Sequence, residues 1–414
     1  MTSKISKSSW LLLAAVALIA LNLRPFITGV GPLAAEIGRR TGLDLQGMAL
    51  LTLVPMFLMG VFAFAGPFLQ TRVGERRSIM VAVALLVAGS LLRLWTTAGW
   101  QLVGTAALLG LGTAVVQAVL PGIVKRQFPR HVGVVMGVYS AMLMGGGALG
   151  AQVAPWVAAA GGDWHIGLAW MAAPAALALA LAARSLPRDV PVRQARQSVA
   201  VYLRRPRVWL LMLCFGLVNG GYSTAVAWLA PFYQEHGWSA AASGSLLAIM
   251  AVCQAMAALL LPICAGRRED RRPWLWLTLA MQALGFIALA WWPEVTPVLW
   301  VAVLGAGLGG CFALSLIVAL DHLSDPAQAG ALSALMQGGG FLLTAFPPWI
   351  VAVLRDLTGS FTMGWLLHLG CAVIVAILYW RVSPASYQRA MRMTPQAAPG
   401  ACLSAGSAAP SSLP

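Results

Sequence analysis

Long apolar runs dominate this sequence and leave few ways for it to fold. Twelve of them lie at about 10–35, 47–69, 78–98, 101–124, 132–157, 164–186, 208–233, 240–265, 273–292, 297–320, 327–354 and 361–381. At 1.5 Å per residue, ~20 residues cross the hydrocarbon core of a bilayer. Backbone polar groups in lipid must be satisfied within the chain, so apolar runs of this length fold as helices. Only 9% of the residues are charged, against about 25% in soluble domains. The expected class is therefore an all-α membrane protein with twelve transmembrane helices.

Twelve passes return the chain to its starting side. That side carries 22 of the 27 Lys and Arg: Lys4, Lys7, the 72–77 and 125–130 loops, seven arginines from Arg184 to Arg207, the 267–272 loop and the tail. The other side holds Arg39, Arg40 and Arg355, and Arg24 and Arg93 fall within runs. The positive-inside rule places both termini in the cytoplasm. The net charge of +15 is thus a topology signal, and nucleic acid is not an expected partner. The first run is too long for a signal peptide and has no clear small-x-small cleavage site after it, so it is read as an uncleaved helix. Trp10, Trp100, Trp164, Trp238, Trp274, Trp291 and Trp300 fall near run ends, where interfacial anchoring is the ordinary explanation.

The chain reads as a duplication. Gly145-Gly146-Gly147 followed by Pro155-Trp156 recurs as Gly338-Gly339-Gly340 followed by Pro348-Trp349, and Ser140 and Ser333 keep the same offset of 193. Asn22 matches Asn219, and Pro32 with Glu36 matches Pro231 with Glu235. The expected division is a six-helix half over 1–186, a cytoplasmic linker over 187–207, a second six-helix half over 208–382, and a cytoplasmic disordered tail over 383–414. Two pseudo-symmetric six-helix bundles are the architecture of major facilitator superfamily transporters, whose substrate site lies at the bilayer midplane between the halves.

Four stretches sharpen the comparison: Asn22-Leu23-Arg24-Pro25, Gln117-Ala118-Val119-Leu120-Pro121, Asn219-Gly220-Gly221-Tyr222 and Ala319-Leu320-Asp321-His322, with Met336-Gln337-Gly338 in addition. They resemble the cyanate transporter family and its 2-nitroimidazole-exporting relatives within that superfamily, over essentially all twelve helices. The resemblance implies a secondary transporter of a small anion, cyanate first, working by alternating access in a bacterial inner membrane. An exporter of 2-nitroimidazole-like or other small drugs is the alternative. A non-transporting membrane sensor on the same fold is a further one, but no soluble signalling domain accompanies the helices. The loop Arg72-Val73-Gly74-Glu75-Arg76-Arg77 keeps the superfamily's Arg-x-Gly and basic end, while Thr71 and Pro67 stand where most members carry aspartate and glycine. A gate role for Arg72, Gly74 and Arg76 and a simple positive-inside role both fit.

Arg24 is the residue that asks for an explanation. A charge deep in a membrane helix costs about 2.5–3.5 kcal/mol on insertion scales, and it persists where it meets a partner, a wet cavity or a ligand. Guanidinium suits a small planar anion, because it stays charged and offers fixed donors. A structural arginine bonded to carbonyls is the plain reading. On a continuous helix Thr28 shares the Arg24 face and Asn22 does not. Gln117 is the deepest polar residue of the fourth helix, with either an interhelical bond or a cavity to serve. Asn219 and Tyr222 share one face of the seventh helix, where Gly220 and Gly221 permit close approach and Trp228 is more readily a packing residue than a cavity wall. The expected substrate contacts are Arg24, Thr28, Gln117, Asn219 and Tyr222. Asn22, Arg72, Gly74, Arg76, Gly221, Trp228, Asp321 and His322 are assigned to gating or structure. At the repeat offset Arg24 falls on Gly221, and Gln117 falls on Gly310. This predicts an asymmetric site in which the first half holds the anion and the second supplies space.

No enzyme is expected, since the spans hold neither clustered aspartates nor a protease-like constellation. Nor is a metal or other cofactor, because the six cysteines lack paired metal spacing and five sit in apolar runs as small packing residues. All twelve acids fall outside the spans' interiors, and His368, the one deep histidine, reads as a packed imidazole. The expected partners are a small cyanate-like anion and membrane lipid, with the chain a monomer.

Overall fold

The structure is a computed structural model that describes residues 7–128, 132–187, 199–265, 270–323 and 326–391. The Lys4, Glu269, Asp325 and Cys402 readings, most of the linker and the tail beyond 391 lie outside those residues. The first half runs through α1 (Lys7–Leu21), α2 (Pro25–Thr28) and α3 (Val30–Thr41) as one interrupted pass, then α4 (Leu45–Arg72) and α5 (Glu75–Leu92) with a 3-10 turn over Arg93–Trp95. It continues with α6 (Gly99–Gln127), α7 (Val132–Gly161), and α8 (Trp164–Ala169) with α9 (Ala172–Ser185). A short α10 (Val199–Leu203) leads into the second half: α11 (Pro206–Glu235), α12 (Ala240–Ala265), α13 (Arg272–Trp291) and α14 (Pro297–Asp321). The chain then forms α15 (Pro326–Ala345) with α16 (Pro347–Thr358), α17 (Thr362–Tyr379), a 3-10 turn over Pro384–Ser386, and α18 (Tyr387–Met391).

Eleven segments of the described residues are long and apolar enough to cross a membrane. The twelfth expected pass is α7, a 30-residue helix. It is as long as the others and carries no charged residue.

Three expected single helices are broken, each near a proline. Proline lacks an N–H and its ring crowds the carbonyl four residues earlier. Pro25 thus acts against Leu21, where α1 ends, and Pro174 against Trp170, the residue that caps α8. Pro347 opens α16 after Phe346, the position where proline is best tolerated. Residues 22–24 therefore do not continue a helix, which corrects the helical-face argument for Arg24.

The duplicated glycine triplets do equivalent work in the two halves. In the first, a Cβ on Gly146 would collide with the Leu21 carbonyl oxygen, and one on Gly150 would come within 2.5 Å of the Pro25 Cα. In the second, a Cβ on Gly339 would meet the Met212 sulfur at 2.6 Å, and one on Gly216 would lie 3.0 Å from the Gly340 oxygen. Each half thus seats its first pass on the glycines of its fifth, at a separation only small residues allow.

The halves meet along α4 with α15, α7 with α12, and α2 and α3 with α11. At the end of the bundle opposite the termini, Gln234 Nε2 donates to the Pro32 oxygen at 2.9 Å and Gln46 Nε2 to Asp356 Oδ2 at 3.3 Å. A Cβ on Gly244 would sit 2.5 Å from the Ala151 oxygen. That end is closed. Residues 384–391, expected within a disordered tail, are helical, and the Tyr387 ring stacks on His322 with centroids 4.0 Å apart. Trp10 and Trp100 are exposed as anchors would be, but Trp164 is buried against His165.

Candidate functional site

The break between α1 and α2 puts Arg24 on a short non-helical link, and that placement makes the site. Its side chain is buried, with Nε lacking any hydrogen-bond partner. The guanidinium carbon lies 4.9 Å from the centroid of the Tyr222 ring on α11. A cation over a ring face is held by the quadrupole of the ring, about 2 kcal/mol when desolvated. The contact spans the two halves, from the interrupted first pass to the continuous seventh. None of the ion pairs among the described residues includes Arg24. Tyr139 of α7, also buried, stands within electrostatic reach of it.

Thr28 is close to Arg24 in a different way from that expected. Its hydroxyl donates to the Arg24 carbonyl oxygen at 3.4 Å, within the backbone of α2. Asn22 and Asn219, the repeat-related pair, behave alike: Nδ2 donates to Leu18 O at 2.7 Å and to Phe215 O at 2.8 Å. Each amide is turned back onto its own pass, although Asn22 Oδ1 stays buried without a donor. Gln117 is half-buried on α6, one turn from Thr113, whose hydroxyl is buried and unpartnered. The group that reaches the guanidinium is Tyr222.

Gly221 does not face Arg24. A Cβ there would lie 2.8 Å from Phe286 Cζ and 3.7 Å from His368 Nδ1. Gly310 likewise abuts Leu261 and Thr278. These glycines pack helices inside the second half and open no space beside the arginine. His368 is packed, with Nε2 2.7 Å from the Thr224 hydroxyl. Trp228 is buried and donates from Nε1 to Pro348 O at 2.7 Å, a packing residue beside the α15–α16 break.

At the end that carries the termini, Gly74 holds a φ of 90°, a backbone state suited to glycine. Arg76 donates to Ala183 O at 2.6 Å, tying that loop to α9, and Arg72 is exposed. The acid of this corner is Glu75, which pairs with Arg126 at the end of α6. The sequence signature looked for an acid at position 71. Asp321 lies 3.4 Å from Arg271 Nε. The His322 Nδ1 approaches Val318 O at 2.6 Å, and burial pushes its pKa down to about 4.

Arg93 escaped the sequence-based site assignment. It is fully buried, and Nη1 donates to the Phe26 oxygen at 3.2 Å, within α2. Its position inside a run was the only available signal, because the link between residues 26 and 93 is purely tertiary.

The model of the Major Facilitator Superfamily matches residues 11–348. The cyanate transport protein CynX of Escherichia coli (strain K12) is 42% identical over 377 residues, covering 91% of this chain and 98% of that protein. A 2-nitroimidazole transporter of the same organism is 29% identical, covering 87% of this chain and 92% of its own length. Among solved structures, a D-xylose-proton symporter superposes with a TM-score of 0.77 at 15% identity, over 93% of this chain and 99% of the symporter. A bacterial homologue of the human lysosomal transporter Spinster, in an inward-facing and unoccupied conformation, gives 0.75 at 16% identity, over 94% and 100%. These two likenesses establish the fold.

Proposed function

The chain belongs to the major facilitator superfamily and is a multi-pass membrane transporter rather than an enzyme; within that frame we propose that it carries a small anion, cyanate in the first place. The supporting observation is Arg24. A buried guanidinium at the seam between the halves, with an unpartnered Nε and a ring face as its nearest counter-group, is short of negative charge. An anion of the size of cyanate supplies it, and the fork geometry of guanidinium orients a small linear or planar ion. The similarity to the cyanate transport protein supports the same substrate.

In this reading Arg24 touches the anion, Tyr222 closes over it from the second half, and Gln117 offers a further donor. Thr28 and Asn219 serve by holding the backbone that presents those groups. Alternating access then follows from the seam. An anion that engages Arg24 competes with the Tyr222 ring and changes the attraction between the halves. In this reading the protein is a monomer of a bacterial inner membrane with both termini cytoplasmic, an orientation that the basic loops support.

Uptake of labelled cyanate into proteoliposomes, with and without a pH gradient, tests the proposal. Saturable flux is the expected result, and its absence would defeat the substrate assignment. Flux of a 2-nitroimidazole in its place would transfer the role to that class.

A further inference from the structure

Arg93, like Arg24, is a buried arginine within a span with no carboxylate among the ion pairs of the described residues. It sits in the 3-10 turn that ends the third pass and is completely buried. Nη1 donates to Phe26 O at 3.2 Å, Nε approaches Thr105 Oγ1 at 3.5 Å, and Nη2 is buried without a partner. Phe26 is two residues beyond Arg24, in a helix only four residues long. So short a helix has almost no stability of its own, since a lone turn fixes several torsions for one hydrogen bond. Its attitude must be set from outside. The neighbouring glycines of α7 set its distance from that helix, and its four residues are all buried, so its surroundings seat it. The bond from the planar Arg93 guanidinium adds a directional tether at a carbonyl two residues from Arg24.

We propose that Arg93 is a positioning residue for substrate recognition: by holding the Phe26 carbonyl it sets the rotation of α2 and so aims the Arg24 guanidinium at Tyr222 and the anion. The inference rests on the reading of Arg24 as the anion contact. A neutral donor could make one such bond, but guanidinium reaches Phe26 O and Thr105 Oγ1 with two different nitrogens. The cation adds positive potential beside the site, felt strongly where the dielectric constant is low.

Two double-mutant cycles test this. In the first, the KM for labelled cyanate is measured for Arg93→Met in the native background and in Arg24→Gln. The expected result is about a tenfold rise in the native background and less than twofold in Arg24→Gln, because Arg93 acts through Arg24. An equal rise in both backgrounds, or loss of maximal rate and melting temperature at constant KM, would overturn the proposal. Thr105→Val, which removes the Nε partner and a local bond to Leu102 O but leaves Arg93 in place, provides a milder version. It should raise KM about threefold with the same dependence on background, and an unchanged KM counts against the proposal.

The second cycle needs no substrate. The coupling between Arg24→Gln and Tyr222→Leu is read from melting temperatures with Arg93 and with Met at 93. Coupling that disappears in Arg93→Met supports positioning, and coupling that persists refutes it. Failure of cyanate flux in the wild-type protein would sink the substrate assignment alone, leaving this second cycle to decide the role of Arg93.

Discussion

Replacing Arg24 by glutamine separates recognition from stability. A hydrogen bond to a charged group contributes about 1.5–3 kcal/mol, and each 1.4 kcal/mol is tenfold in affinity. Loss of the guanidinium should therefore raise the KM for cyanate by about ten- to a hundredfold. The effect on folding has two opposed parts. Neutralising a charge at this depth relieves about 2.5–3.5 kcal/mol, while losing the contact 4.9 Å from the Tyr222 centroid forfeits about 2 kcal/mol. The difference is within a kcal/mol or so, and Arg24→Gln should melt at or slightly above the wild-type temperature. Arg24→Lys keeps the charge but loses the fork, so its KM should fall between the two. The assay is the concentration dependence of initial uptake in proteoliposomes, with thermal melting in detergent as the folding control. An Arg24→Gln protein with KM within twofold of wild type and normal melting would refute the reasoning. If a neutral planar drug is the substrate, its transport should survive the same change.

Three further perturbations follow from the geometry. Gly221→Ala places a Cβ 2.8 Å from Phe286, which is buried beside Trp365 and His368; it should cost about 1–3 kcal/mol through overpacking, lowering the melting temperature with little change in KM. Arg126→Ala strands the buried Glu75 carboxylate. The loss should be about 1–3 kcal/mol, below the range for a fully buried pair because Arg126 is itself exposed, and Glu75→Gln in addition should restore most of the melting temperature. The buried His322, stacked on Tyr387 with Arg207 also disfavouring its charge, has its pKa pushed down to about 4. The unfolded chain, with a histidine near 6.5, binds the proton first, so stability is intact above pH 6.5 and declines as pH falls toward 4. His322→Asn should flatten the melting temperature between pH 7 and 5, and an undiminished slope would contradict the assignment.

Much of the architecture was open to inspection in the sequence, and the candidate site was only half legible. Arg24 announced itself by cost, since a charge in an apolar run demands an explanation whatever the tertiary fold. Its companions did not. Helical spacing grouped Thr28 with it, and Asn219 with Tyr222, but both spend a donor on backbone carbonyls. Gly221 was placed opposite it by the repeat, yet faces Phe286. Arg93 and Tyr139 carried no local sign of their distant neighbours.

The sequence by itself determined the all-helical membrane fold and supplied the expectation of how its passes are directed. These follow from transfer between water and lipid, which depends on composition segment by segment. Only the tertiary structure decided where the passes break and whom the buried charges meet. Pro121, Pro155, Pro231 and Pro262 sit inside continuous helices, whereas Pro25, Pro174 and Pro347 lie at interruptions. A proline in the interior of a helix costs about 3 kcal/mol. Whether the helix bends or breaks depends on what packs against the freed carbonyl, and at Leu21 that neighbour is Gly146, brought from another pass. The Arg24 to Tyr222 contact joins the two halves in the same way. Its geometry depends on how one six-helix bundle docks on the other, a balance of many small packing terms that no local stretch of sequence contains.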